Sequence, residues 1–528
     1  MTDIIVIGGG LNGLVAATWL ARQKFSVLLL DRHDAVGGAA ITTTTPGGYR
    51  VPTLSHSLGP ISDDVIRTLR LDKAGLNIIT PDPALTTFGR SGEVVTFHRD
   101  PVLTAASVGA HAPQDAGQWQ PFLKAVQRQA GVLGQLNRQP PPSIDAPDGS
   151  DLWRLLQVGR QARSLGGREL ARLTRYIPMP VADLVAEWFS HDLVQAAIAA
   201  HAVFGHHAGP WSAGTGALLM QRLADDPVPV GSGATAHGGP GAVTAALAQV
   251  AQQAGVSIRT NARVIRVLTR EGHAHGVALE SGEELQAHAV VAAVAPQHVL
   301  HDLCDPADLP PTYSRRVRQI RARGVTSTIT LSLNGLPSVP ALHGDDVPLR
   351  GRLLFAPGVD MIERAFDAAK YGRISEEPWI EMSIPSISDP SLAPAGHHVA
   401  SLYVQYTPRD LRGTSWAAER DAMFTRVITT LSRYMPDLES HIVERDIVTP
   451  EDLETRWNLP GGQITHGEQA LDQWWVSRPL LGFAPYATPV AGLFLASGGT
   501  HPGGGLTGQS GLNAARAISV TLRRARRR

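Results

Sequence analysis

Residues 2–31 read TDIIVIGGGLNGLVAATWLARQKFSVLLLD. The run Ile4–Ile7 is apolar and β-branched, which is typical of a buried parallel strand. Three glycines follow in the spacing G-x-G-x-x-G: Gly8, Gly10 and Gly13. A helical pattern and a second apolar run come next, and the run ends at Asp31. Strand, glycine turn, helix, strand and acid within about 30 residues predict the first βαβ unit of a dinucleotide-binding domain.

Each part of this unit has a physical task. The first glycine permits a tight turn, the second lets the backbone approach a pyrophosphate, and the third lets helix and strand pack closely. The start of the helix, at Leu11 and Asn12, would direct unpaired N–H groups and a partial positive charge at the phosphates. Asp31 would accept hydrogen bonds from ribose hydroxyls. The alternative is an ordinary βαβ turn without a ligand.

The residues after Asp31 bear on which dinucleotide binds. Residues 31–40 read DRHDAVGGAA, so a glycine pair follows the acid closely. A nicotinamide-binding domain would normally continue into its next helix at this point. The glycine pair resembles that of FAD enzymes, in which the backbone turns back over a longer cofactor. This resemblance implies FAD, with contacts at Arg32, Gly37, Gly38 and Ala39.

A second glycine-containing segment, residues 231–236, reads GSGATA. It follows Pro227 and Pro229, and two prolines make a poor central strand because they cannot donate to the ladder. No strand that ends in an acid follows at the right distance. The sequence therefore disfavours a separate NAD(P) site.

The other glycine-rich region lies near the end of the chain. Residues 496–518 read ASGGTHPGGGLTGQSGLNAARAI, and seven of the fourteen residues from Gly498 to Gly511 are glycine. Glycine costs backbone entropy, so this density predicts that something must approach the backbone closely. A glycine-rich hinge without a ligand is the alternative.

The pattern along the chain predicts an α/β fold. We expect a Rossmann-like FAD-binding domain of the glutathione-reductase type, with an inserted mixed α+β substrate domain. The FAD-binding domain is predicted to consist of three pieces: residues 1–105, 226–310 and 451–528. The insertions are predicted to be a mostly helical cap and a segment of mixed sheet and helix: residues 106–225 and 311–450.

Four stretches, taken in order, resemble the phytoene-desaturase-type FAD oxidoreductases. They are the N-terminal fingerprint with its glycine pair, His237–Gly239, Asn261–Val267 and Thr500–Gly505. A branch of this family, called pyridine nucleotide-disulphide oxidoreductase domain-containing protein 2 in animals, also shows segments like LPGGQITHG at 459–467. The resemblance covers essentially the whole chain. The disulphide chemistry in that branch's name finds no support here, because Cys304 is the single cysteine.

This resemblance implies FAD as the cofactor and places the flavin ring against the C-terminal glycine stretch. The cofactor contacts that it implies outside the N-terminal unit are Val264, Gly498, Gly499, Thr500, Gly505 and Leu506. It also implies hydride transfer to or from flavin N5, with a lipophilic, polyene or isoprenoid (carotenoid-like) substrate that is desaturated, saturated or isomerised.

Two other functions stay open. A flavin amine oxidase shares the fold, but that class usually has a lysine near the flavin, and only Lys124 and Lys370 lie outside the N-terminal nucleotide piece. A non-enzymatic lipid or prenyl carrier on the same scaffold is the other alternative. The intact glycines at both FAD-binding ends argue against a carrier.

Three histidines are candidates for proton transfer near the flavin. His501 lies in the flavin-facing motif, His466 in its own glycine-proline segment, and His56 between two serines after the glycine pair. Each has a structural alternative: His501 could hold its loop, His466 its segment, and His56 could simply line the cavity. His206 and His207 lack a third ligand at metal spacing, so we expect no metal site.

Composition limits the partners. The formal net charge is +0, which gives no global field for binding nucleic acid. No apolar run has the length of a membrane span, and the start of the sequence enters a strand at once, so we expect no signal peptide and a cytoplasmic protein. Five of the six residues from Arg523 to Arg528 are arginine, either a solvated helix end or a peripheral contact with anionic lipid. The sequence leaves the oligomeric state open.

Overall fold

The computed structural model describes residues 2–55, 57, 61–145 and 147–526. Its strands are β1 Thr2–Ile7, β2 Val27–Leu30, β3 Thr42–Thr44, β4 Arg50–Pro52, β5 Ile78–Ile79, β6 Leu85–Phe88, β7 Val94–Phe97, β8 Thr235–Ala236, β9 Ser257–Arg259, β10 Val264–Arg270, β11 His273–Leu279, β12 Glu284–Ala292, β13 Thr326–Leu333, β14 Arg352–Phe355, β15 Ile380–Ser383, β16 His398–Gln405, β17 Ile442–Val448 and β18 Leu493–Leu495.

Its α-helices are α1 Leu11–Arg22, α2 Asp63–Leu69, α3 Pro101–Gly109, α4 Pro113–Ala116, α5 Trp119–Asn137, α6 Gly149–Ser164, α7 Gly167–Tyr176, α8 Val181–Ala186, α9 Asp192–Val203, α10 Thr215–Asp225, α11 Gly241–Gln253, α12 Pro296–His298, α13 Pro311–Val317, α14 Val359–Lys370, α15 Trp416–Leu431, α16 Leu438–His441, α17 Pro450–Trp457 and α18 Gln509–Arg526.

The first large sheet is the nucleotide-binding one. Its order is β10-β11-β12-β1-β2-β9, with β18 beside β12. The pairs β1–β2, β1–β12, β2–β9 and β12–β18 are parallel. Helices α1, α11 and α18 contribute buried apolar residues to the core on this sheet. The strands come from the beginning, the middle and the end of the chain, which gives the Rossmann-like arrangement that the N-terminal motif predicts.

The second large sheet has the order β17-β13-β16-β15-β14-β6-β7. Its pairs are antiparallel except β14–β6, in which Arg352–Leu354 pairs with Leu85–Thr87. Strands β6 and β7 lie in this sheet, although we assigned residues 1–105 to the FAD-binding domain. Short apolar strands look alike in either sheet, and only the distant pairing with β14 decides where these two lie.

The helical insertion covers one side of the second sheet. Helices α5, α8, α9 and α10 share one apolar core with residues of β6, β7 and β14. Trp379 and Phe122 of this core are among the largest side chains that are completely buried. Burying a side chain of this kind stabilises the fold by about 1.5–3 kcal/mol. This packing places α9 and α10 against the second sheet. A space remains between these helices and the nucleotide-binding sheet.

Candidate functional site

The glycine turn after β1 has the geometry that a dinucleotide-binding loop requires. Gly8 has a φ of 97°, which favours glycine. A Cβ on Gly13 would lie 1.9 Å from the Gly8 carbonyl oxygen, so no side chain fits there. The Gly9 N–H donates to Asp31 Oδ2 at 2.7 Å, and the His33 N–H donates to Asp31 Oδ1 at 2.8 Å. Asp31 therefore holds the turn as well as facing the cleft.

The glycine pair closes the other side of the same cleft. Gly37 and Gly38 have φ values of 149° and 60°, and Gly10 forms a β-bridge with Gly37. A Cβ on Gly38 would lie 3.0 Å from the Gly10 Cα. The two glycine segments are thus in direct backbone contact. They form a cradle without side chains, which fits the pyrophosphate of a dinucleotide.

The C-terminal glycine stretch packs against a neighbouring segment of the chain. A Cβ on Gly499 would lie 2.2 Å from Pro296 Cδ, and a Cβ on Gly504 would lie 2.3 Å from Thr465 Cβ. Part of the glycine content is therefore explained by packing inside the protein. Gly498, Gly505 and Leu506, by contrast, line the cavity described below.

The Arg478 side chain connects the segments around Thr465 and Gly498, a role that the sequence pattern did not indicate. This side chain is 2% exposed and donates to five backbone carbonyls: Thr465, Glu468 and Gly498 at 2.8 Å, Gly467 at 3.3 Å and Gln473 at 3.4 Å. Burial lowers the pKa of Arg478 to about 10. In the described part of the chain no carboxylate forms an ion pair with it. Among the described residues, these backbone carbonyl oxygens are what stabilises the positive charge of the Arg478 guanidinium.

A cavity of about 600 Å³ connects the glycine turn with the second sheet. Most of the predicted cofactor contacts line it: Gly8, Gly10, Leu11, Asn12, Asp31, Arg32, Gly38, Ala39, Val264, Gly498, Gly505 and Leu506. Four predicted contacts lie behind this wall: Gly13, Gly37, Gly499 and Thr500. Pockets of this size are typical of cofactor and small-molecule sites.

Beyond the nucleotide end, the cavity wall is partly apolar. Leu54, Leu459 and Ile464 line it, together with an aromatic pair. The rings of Phe204 and Tyr403 meet edge to face, with centroids 4.8 Å apart. This part of the wall can hold a hydrocarbon chain.

The far end of the cavity is charged, which the sequence pattern did not indicate. Arg352 on β14 and Glu381 on β15 form a buried ion pair at 2.8 Å. Arg352 Nη2 also donates to the carbonyls of Val230 and Gly231. The second glycine-containing segment thus packs against a buried arginine and, with Gly231 and Gly233, forms part of the cavity wall. Only the register between β14 and β15 brings Arg352 close to Glu381, so the sequence pattern by itself could not indicate this ion pair.

Helix α10 adds Gln221, Arg222 and Asp225 to the same end. Burial lowers the pKa of Arg222 to about 10, with Arg352 acting in the same direction and Glu381 and Asp225 in the opposite one. Burial raises the pKa of Asp225 to about 6, although its Oδ1 accepts from Asn137 Nδ2 at 3.2 Å. The pKa of His201 on α9 is lowered by burial and by the two arginines, so its ring is neutral.

The candidate histidines lie in different places. His466 lines the cavity, and its Nδ1 has no partner within the part of the chain that is described. Burial and Arg478 lower its pKa to about 4, so the ring is neutral at neutral pH. His501 is fully buried outside the cavity wall, with Nε2 2.9 Å from the Leu136 carbonyl oxygen. His56 lies outside the described residues.

No group of three or more His, Cys, Asp or Glu side chains among the described residues is placed to hold a metal ion. None of the helices in the same part of the chain is both long and apolar enough to cross a membrane.

Comparison with known proteins supports the predicted resemblance. A family model described as flavin containing amine oxidoreductase matches residues 11–519. The chain is 31% identical to pyridine nucleotide-disulfide oxidoreductase domain-containing protein 2 of Rattus norvegicus, covering 99% of this chain and 94% of that protein. It is 26% identical to phytoene desaturase (neurosporene-forming) of Rhodobacter capsulatus, covering 96% and 91%. A solved oxidoreductase from Methanosarcina mazei has the same fold, with a TM-score of 0.62, 14% identity and coverage of 98% and 100%.

Proposed function

We propose that this FAD-dependent oxidoreductase acts on a lipophilic substrate with a polyene or isoprenoid body. The chain belongs to the flavin containing amine oxidoreductase family. The reaction is a desaturation, a saturation or an isomerisation. One observation carries the proposal: a single cavity joins the dinucleotide turn to a partly apolar chamber. Phytoene desaturase, the relative at 26% identity, is named for a substrate of this class.

The chain's own residues hold and orient the cofactor. The backbone at Gly8 and Gly10, together with the N-terminus of α1, would bind the pyrophosphate, and Asp31 would bind the ribose. The N-terminus of α18 lies at the end of the glycine stretch and would stabilise negative charge on the flavin. Bound FAD supplies a hydride acceptor or donor at N5. The cavity wall then has to place a substrate C–H bond there and exclude water.

Oxidation of an amine is the second candidate function. The family description favours it, and Asp225, Asp226 and Glu381 in the cavity wall could bind an ammonium group. However, no lysine is found among the described residues that line the cavity. Arg352 is already paired with Glu381, but Arg222 has no ion-pair partner among the described residues and would repel an ammonium group.

Anaerobic reduction of the purified holoprotein separates these functions. We expect isoprenoids or polyenes to bleach the flavin band, or to reoxidise the photoreduced protein. Bleaching by primary or secondary amines alone would select the second candidate. Flavin that responds to neither class, in a protein that binds isoprenoids and releases them chemically unchanged, would indicate a carrier.

We assign the acid–base role near the flavin to His466, because it lines the cavity and its Nδ1 is buried without a partner among the described residues. General acid–base groups contribute about 10²–10⁴-fold. His466→Ala should therefore lower the rate of flavin reduction at least about 100-fold while FAD stays bound. Stopped-flow absorbance measures this rate.

His501→Ala is the matched comparison, since the His501 ring contacts the Leu136 carbonyl and not the cavity. It should lower the melting temperature and leave the rate per bound flavin near that of the natural protein. The reverse outcome, a slow His501→Ala variant and a normal His466→Ala variant, would transfer the role to His501.

Peripheral contact with anionic lipid is a further proposal, supported by α6. This helix exposes Leu152, Trp153 and Leu156, with 60%, 55% and 51% of each residue accessible. Arg524 of α18 lies beside it, 3.5 Å from Asp148. Apolar and basic groups together are typical of helices that lie on membranes.

Sedimentation with vesicles tests this contact. Trp153→Asp combined with Leu156→Asp should reduce binding to phosphatidylglycerol vesicles at least about tenfold, because two exposed apolar side chains that would insert into the bilayer are lost. Trp211→Asp changes an exposed tryptophan outside α6 and should have little effect. Equal sedimentation of all three proteins would rule out α6 as the contact.

A further inference from the structure

We propose that the substrate carries a carboxylate, and that Arg222 and Gln221 of α10 bind this carboxylate at the charged end of the cavity. The inference rests on the proposed function, because it names the head group of the substrate of the same site. The hydrocarbon body would lie on the apolar part of the wall. The protein would then recognise its substrate by the carboxylate at one end of the molecule.

The first observation is a cluster of buried polar atoms without partners. Both amide atoms of Gln221, the Nε atoms of Arg222 and Arg352, and His201 Nε2 have no hydrogen-bond partner among the described residues. All four side chains line the cavity, and Gln221 is 7% exposed. Buried polar groups are almost always hydrogen-bonded, and an unsatisfied one costs about 1–3 kcal/mol. Several such atoms on one wall indicate a polar ligand.

The second observation concerns charge. Arg352 has a carboxylate partner in Glu381, whereas Arg222 forms no ion pair within the described part of the chain. Among the described residues, the Arg222 guanidinium donates to the Phe204 carbonyl at 2.5 Å and lies over the Phe204 ring, 5.4 Å from its centroid. Glu381 and Asp225 lie near enough to raise the pKa of Arg222, but neither forms an ion pair with it among the described residues, so a carboxylate bonded directly to the guanidinium would stabilise this buried charge further.

The neighbouring carboxylates limit the charge of that ligand. Asp226 accepts from the Ser232 N–H at 2.6 Å, and Asp225 accepts from Asn137 at 3.2 Å. Both line the same end of the cavity and would repel a phosphate or diphosphate, which carries more than one negative charge. The orphaned donors on Arg222 and Gln221 match the two oxygens of a carboxylate.

The test compares isoprenoid carboxylic acids with their methyl esters. Geranic, farnesoic and geranylgeranoic acids and the three esters are titrated into the holoprotein, and binding is followed by the flavin difference spectrum or by calorimetry. At least one acid should bind about 30-fold or more tightly than its ester, since removing one partner of a buried charge pair costs about 2 kcal/mol or more. No turnover is needed for this measurement.

Arg222→Gln should abolish the preference for the acid while the dissociation constant of the ester changes less than about threefold. In Gln221→Met the new side chain has a shape similar to that of glutamine. Because the Gln221 amide has no partner among the described residues, losing the amide should not impair folding. It should reduce the preference about tenfold. Arg128→Gln is the control, because Arg128 is exposed and outside the cavity wall.

Equal binding of acids and esters, an unchanged preference in Arg222→Gln, or no binding by any acid would overturn the carboxylate assignment. Tighter binding of amines that is weakened by Asp225→Asn would also overturn it and would favour an ammonium group. The proposed function is judged separately, by whether any isoprenoid, acid or ester, exchanges electrons with the flavin.

Discussion

Gly10→Val is expected to leave the purified protein without FAD. Gly10 lines the cavity at the glycine turn, where the backbone must approach the pyrophosphate. A Cβ at this position would be 3.7 Å from its nearest neighbour, the Gly38 Cα, so the protein itself leaves room for it. The added side chain would therefore occupy the space of the cofactor without disturbing the fold. We expect the affinity for FAD to fall at least about 100-fold, which is about 2.7 kcal/mol.

Flavin content per chain after purification measures this effect, and circular dichroism checks the fold. Gly13→Ala is the contrasting variant, because its Cβ would lie 1.9 Å from the Gly8 carbonyl oxygen and should damage the fold itself. A folded Gly10→Val protein with one FAD per chain would contradict the assignment of this turn.

Arg478→Met should destabilise the protein by about 3–5 kcal/mol, the largest effect expected for a residue outside the glycine turn. The substitution leaves five backbone carbonyl oxygens without their donor in a buried region. The segments around Thr465 and Gly498 would then separate, and bound flavin should be lost with them. Urea unfolding of the holoprotein and its flavin content measure both effects.

Arg433→Gln is the matched control for Arg478→Met. The Arg433 side chain is 52% exposed, and its pair with Glu377 lies on the surface. Exposed pairs contribute about 0–1 kcal/mol, so this variant should be nearly as stable as the natural protein. If Arg478→Met unfolds at the same urea concentration as Arg433→Gln, Arg478 does not hold the two segments together.

The nucleotide end of the site could be predicted from the sequence because its requirements are local. Gly8, Gly13 and Gly38 are needed for backbone reasons that hold in any chain with this turn. The strand before them and the acid after them lie within one βαβ unit. The cofactor and the family follow from such short-range patterns, and the comparisons confirm both.

The substrate end could not be predicted, because distant pairing creates it. Arg352 meets Glu381 only through the register of β14 and β15, and it meets Gly231 through a loop more than a hundred residues away. Arg222 reads as an ordinary polar position on an amphipathic helix, and its burial depends on how α10 packs. For the same reason the direction of the His501 ring, towards Leu136, is not encoded near His501.

The central claim is that the flavin exchanges two electrons with an isoprenoid substrate in the cavity between the two sheets. The most direct measurement is an anaerobic single turnover of the holoprotein with the isoprenoids that perturb its flavin spectrum, with products identified by mass spectrometry. The account predicts one product that has lost two hydrogen atoms for each flavin bleached, one that has gained two for each reduced flavin reoxidised, or an isomer of unchanged mass formed by the reduced protein. Flavin that stays unchanged with every isoprenoid, and is bleached by amines instead, would contradict it.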